Sequence, residues 1–119
     1  MQRLEIAVAG LEEALTIPPR FQQSWSHIVR QRMHGVDEAL AAERPDEVTW
    51  LSARAARLRH ERDRLLTRLS CLDSRVQDDS NVEPVRQDLL RLVHDIQHHS
   101  QRVHDLAYDA DAMDVGGSE

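Results

Sequence analysis

From Val48 to Val76 the apolar residues step three and four positions apart without a slip. The series is Val48, Leu51, Ala55, Leu58, Leu65, Leu69, Leu72 and Val76, with Arg62 at the one position where an apolar side chain is due. Steps of three and four hold a stripe on one side of an α-helix; a strand would need period two. A second series runs Val85, Leu89, Leu92, Ile96, His99, Val103, Leu106, Ala110 and Met113, again unbroken, with His99 as its polar member. The two stretches predict helices near 46–77 and 83–113, each about 45 Å long at about 1.5 Å per residue. Pro45 with Asp46 and Glu47 suits the start of the first, and Pro84 with Ser80 or Asn81 as a cap suits the second. So short a link makes an antiparallel hairpin the expected pairing.

The first third is less regular. Leu4, Val8, Leu11 and Leu15 form one helical stripe, and Phe21, Trp25, Ile28 or Val29, Val36 and Leu40 form another. Pro18 and Pro19 between them remove two amide donors and push Ile17 away from helical geometry. The expectation is an all-α antiparallel three-helix bundle whose first helix is kinked or broken at Pro18-Pro19. In the broken form, a short helix at 2–16 precedes long ones at 19–43, 46–77 and 83–113. A single domain would cover 1–113, with 114–119 (DVGGSE) as an acidic, Gly-containing tail. An extended coiled-coil dimer is the alternative for so sustained a seam, but three segments with short links favour a compact bundle.

Composition fits this reading. Hydrophobic residues are 40% and charged residues 30% of the 119, with aromatics only 3%, so the core has to be aliphatic. All fifteen basic residues are arginine, and the net charge of −6 argues against indiscriminate binding to nucleic acid or membranes. The single cysteine, Cys71, excludes an intramolecular disulfide, and the N-terminus carries acids where a signal peptide needs an apolar run. No window approaches the 18 or more apolar residues of a membrane span. A bacterial-type cytoplasmic protein is expected.

The segment VHDIQHHSQRVHD, residues 93–105, holds four histidines. With His94 at zero, about 100° per residue places His98 at about 40°, His99 at about 140° and His104 at about 280°. They cannot form one site. His94 and His98 are i, i+4 neighbours, the spacing with which two imidazoles chelate one divalent ion. Asp105 lies on the same strip but about 10 Å further along. The competing reading is two solvated histidines.

His99 and Arg62 are the polar members of the two seams. A hairpin turning near residue 80 sets Arg62 opposite 97–98, in the same layer as His99. A turn near Pro45 would set Arg62 opposite Trp25, Ile28, Val29 and Arg32. A polar layer of Arg62, His99 and Asp95, near Trp25 and Arg32, is therefore expected across an aliphatic bundle, with Asp95 or Glu61 as the carboxylate a buried arginine needs. Such a layer either fixes register, as a polar core residue does in coiled coils, or forms an anion or small-ligand pocket.

Residues 53–68, ARAARLRHERDRLLTR, carry six arginines against two acids, a stripe that a nucleic-acid reading would use; the last helix is oppositely charged, so mutual ion pairing competes with it. Cys71 lies opposite its seam with no histidine on a neighbouring turn, and no phosphate loop, paired-cysteine motif or H-E-x-x-H is present, so enzymatic activity is not the expectation and no cofactor is implied. Leu90, Val93 and Tyr108, with Trp50, lie off the seams; they await either a partner or cover by the helix at 2–16. The helical body, the lysine-free composition and the ending DVGGSE resemble small uncharacterised helical proteins of high-GC bacteria, a resemblance that implies no activity. The reading that follows is a non-enzymatic interaction protein, homodimeric or bound to a protein partner. Two alternatives stand beside it: a ligand- or metal-binding sensor, and a nucleic-acid-associated regulator.

Overall fold

The computed structural model describes residues 3–17, 22–43, 52–78 and 81–117. These form four α-helices: α1 (Arg3–Thr16), α2 (Gln22–Ala41), α3 (Ser52–Asp78) and α4 (Val82–Gly117). The protein is all-α. Of the two expected forms, a first helix kinked or one broken at Pro18-Pro19, the four helices correspond to the broken one, because α1 and α2 are separate helices. α1 ends one residue before Ile17, where the Thr16 hydroxyl donates to the Glu13 carbonyl and the Ile17 amide to that of Ala14. The position ahead of Pro18 is where helical backbone becomes sterically unfavourable. Pro18, Pro19 and the expected start at Pro45 lie outside the described residues.

Interhelical pairs set the topology. Arg54–Asp109, Arg68–Asp95 and Arg75–Asp88 make α3 and α4 antiparallel. Ser26 to the Val76 carbonyl and Arg30–Asp73 do the same for α2 and α3. Arg86 to the Leu15 carbonyl and His104–Glu5 set α1 against α4. The α1–α2 pair closes the ring, so neighbouring helices alternate in direction. At α4's start the Asn81 side chain accepts from the Glu83 amide, an N-cap that satisfies one of the otherwise unpaired first-turn donors. α4 continues to Gly117, through positions expected to be tail.

The seams face inward. Leu65, Leu69, Leu72 and Val76 of α3 meet Val85, Leu89, Leu92 and Ile96 of α4, with Leu4, Val8, Leu11 and Leu15 of α1 and Trp25, Val29, Met33, Val36 and Leu40 of α2. α3 and α4 outrun the other two helices and make a second, smaller cluster of Ala55, Leu58 and Leu106, with Val103 packed on it. The molecule is accordingly long, 61 × 23 × 18 Å. Among the described residues no helix is long and apolar enough to cross a membrane.

Candidate functional site

The two aliphatic clusters are separated by one polar layer at the level where α2 ends. Along α3 the change falls between Leu58 and Leu65, at Glu61 and Arg62; along α4 it falls between Ile96 and Leu106, at His99. His99 has no solvent-exposed surface (0%), and each of its ring nitrogens faces a carboxylate. Nε2 lies 2.6 Å from Glu43 Oε1, and Nδ1 lies 2.6 Å from Glu61 Oε1. A neutral imidazole has one N–H and can serve one such neighbour; the imidazolium donates to both. Burial disfavours the charged ring, but the hydrogen bonds and charges of Glu43 and Glu61 outweigh it and raise the His99 pKa above the ordinary imidazole value.

Two arginines close the layer. Arg102, one turn along α4 from His99, donates twice to Glu61 Oε1, at 2.7 and 3.2 Å. Burial would raise the Glu61 carboxyl; Arg102 and His99 overcome it and hold the group below its usual range. Arg62, with only 14% of its side chain exposed, donates to the Glu43 carbonyl at 2.8 Å and to Asp63 at 3.3 Å. Glu43 is thus held by its carboxylate from α4 and by its backbone from α3. The residues just past the end of α2, which carry no helical periodicity, are fastened to the long hairpin there.

The expected layer is present around different partners. Arg62 and His99 share it through Glu43, and Glu61 belongs to it. Asp95 does not: its carboxylate pairs with Arg68 at 2.7 Å, half exposed on the α3–α4 flank. Trp25 lies at the opposite end of the main core, and its indole N–H has no acceptor among the described residues. Arg32 is exposed and lies over Gly10, where an added Cβ would come 3.4 Å from its Nη1. The misplacement of Trp25 and Arg32 has one cause. The pairs Ser26–Val76, Arg30–Asp73 and Glu43–Arg62 centre the α2–α3 pairing near position 52 rather than Pro45, so Arg62 meets the end of α2, not its beginning. Glu43 was missed because nothing in a heptad marks a residue beyond the last turn.

The other candidates separate. His94 and His98 are exposed, with ring centroids 4.3 Å apart, and no group of three or more potential metal ligands occurs among the described residues. Val93 is buried in the main core beside α1's residues, and Leu90 packs against that core. They are covered by the chain itself and are not a free strip. Tyr108 remains 75% exposed, and Trp50 lies outside the described residues. Within the basic stripe, Arg54 and Arg68 pair with Asp109 and Asp95 of α4, and Arg62 pairs with its α3 neighbour Asp63. Cys71 is exposed.

Fold and layer together define a four-helix protein with a buried carboxylate–imidazole–carboxylate bridge. No family model, curated protein or solved structure matches the chain.

Proposed function

We propose that this protein is a non-enzymatic interaction module whose partner is a second copy of itself, docked through the outer face of α1 and α2. The observation that carries this reading is the exposure of Ile6, Ile17 and Ile28, at 58%, 51% and 41%, on those two neighbouring elements. Ile6, Gly10 and Glu13 fall on one strip of α1, leading to Ile17 at its end; Ile28, Arg32 and Gly35 fall on one strip of α2. The contact of Arg32 with Gly10 puts both strips on the same side of the bundle. A Cβ at Gly35 would meet nothing within 4 Å, so the face is open there. Glu13 on one helix and Arg32 on the other are both exposed, so a two-fold pairing that lays α1 across the partner's α2 sets opposite charges together.

Light scattering at two protein concentrations tests this. The expected result is a dimer that Ile28→Glu and Ile6→Glu each convert to monomer, with helicity unchanged because both positions are at the surface. A wild-type chain that remains monomeric at both concentrations overturns the proposal. So does a dimer that is indifferent to both substitutions.

A further inference from the structure

His94 and His98 are left with nothing to do by the bundle. His34, His99 and His104 each bond a carboxylate, whereas His94 and His98 make no hydrogen bond or ion pair with the described residues and their rings are in contact with each other. Both side chains are exposed on consecutive turns of one face of α4, far inside a helix of 36 residues, so the backbone that spaces them is rigid. The pocket beside His98 is lined by Arg64, Arg68 and Arg102; Arg68 pairs with Asp95 and Arg102 with Glu61, which limits the repulsion those two exert on an approaching cation.

The ring contact, with centroids 4.3 Å apart, holds the two imidazoles close enough for both to reach one ion, and histidines at i, i+4 on a helix have the spacing with which two imidazoles share a divalent metal. The Irving–Williams order puts Cu²⁺ above both Ni²⁺ and Zn²⁺ for such nitrogen ligands.

We infer that His94 and His98 form a two-histidine chelate on the surface of α4 that takes a first-row divalent ion, Cu²⁺ before Ni²⁺ or Zn²⁺. The protein supplies two adjacent ligands, and water completes the coordination. The site is independent of the α1–α2 face.

Titrating the full chain with CuCl₂ in a non-coordinating buffer, by calorimetry and by electron paramagnetic resonance, tests the assignment. One Cu²⁺ per chain is expected, with a tetragonal spectrum showing nitrogen ligation. His94→Ala and His98→Ala should each weaken binding at least tenfold, while His104→Ala, on another flank of the same helix, should leave it unchanged. Circular dichroism of each variant establishes that the helix is intact. The inference is overturned if Cu²⁺ does not bind, if the two alanine variants bind as tightly as wild type, if His104→Ala weakens binding equally, or if Zn²⁺ binds more tightly than Cu²⁺.

Discussion

His99→Leu should destabilise the protein by about 3–5 kcal/mol at pH 7, the range for removing one partner from a buried ion pair, read from the midpoint of urea or guanidinium unfolding. Leucine is apolar and close enough in size that packing alone would not make it harmful. What it lacks is the pair of donors. Nε2 and Nδ1 of His99 each serve a carboxylate at 2.6 Å, and both acids lie in the same largely enclosed layer. Replacing a whole buried pair by apolar residues is often harmless, whereas removing one side leaves charge that must be rehydrated or neutralised. Glu61 retains Arg102 at 2.7 Å, which keeps part of its stabilisation. Against a total stability of about 5–15 kcal/mol for a domain of ordinary size, the variant would lose much of its margin. His99→Ala adds a cavity and should be worse. A His99→Leu protein as stable as wild type would mean that the bridge contributes nothing to folding.

Two of the layer's principal residues were legible in the sequence for a simple reason: each breaks a pattern. Arg62 is the polar member of a three-and-four series in α3, and His99 of the series in α4; helical periodicity therefore put both on buried faces. The tight α3–α4 link then brought them to one level, and the described pairs from Arg54–Asp109 to Arg75–Asp88 keep that register along the hairpin. The four aliphatic residues of each seam on the main-core side of the layer, Leu65 to Val76 in α3 and Val85 to Ile96 in α4, are buried as their spacing requires.

The remainder depended on what periodicity does not encode. α2 and α3 are joined through ten residues, 42–51, so their register is set by packing rather than by the turn, and Trp25 and Arg32 fall away from the layer. Asp95 and Glu61 are both acids at the edge of a seam, and spacing alone cannot choose between them. The choice is made by neighbouring arginines: Arg68 is within reach of Asp95, and Arg102 sits on the turn that directs Glu61 toward His99. Val93 and Leu90 looked unpartnered because a stripe on a long helix does not reveal that a 14-residue helix, α1, lies across it. The second exposed apolar face, on α1 and α2 themselves, follows from the same arrangement: helices that cover α4 must turn another side to solvent.

The same layer should give the protein a stability profile that declines on the alkaline side because of one residue. His99 has its folded-state pKa raised above the ordinary value of about 6.5. Above that pH the unfolded chain gives up the imidazole proton while the folded chain keeps it, so the folded state binds more protons and its stability falls as pH rises. The contribution is complete below the unfolded pKa and is lost as pH passes through the folded one, with a slope of at most about 1.4 kcal/mol per pH unit for one group. Glu61 works in the opposite sense. Its carboxyl is held below its ordinary value, so its contribution is complete above that value and disappears as pH falls through the depressed folded pKa. The carboxylates facing the ring are Glu43 and Glu61, with Arg62 on the Glu43 carbonyl and Arg102 on Glu61. Stability is therefore expected to be highest in mildly acidic solution, between the two transitions, and to fall from about pH 6.5 upward. Urea unfolding between pH 5 and 9 measures the profile. His99→Gln cannot titrate, so its curve should lack the alkaline decline while remaining lower at pH 5.5. If His99→Gln declines as steeply as wild type from pH 6.5 to 9, the proton between Glu43 and Glu61 is not what the layer depends on.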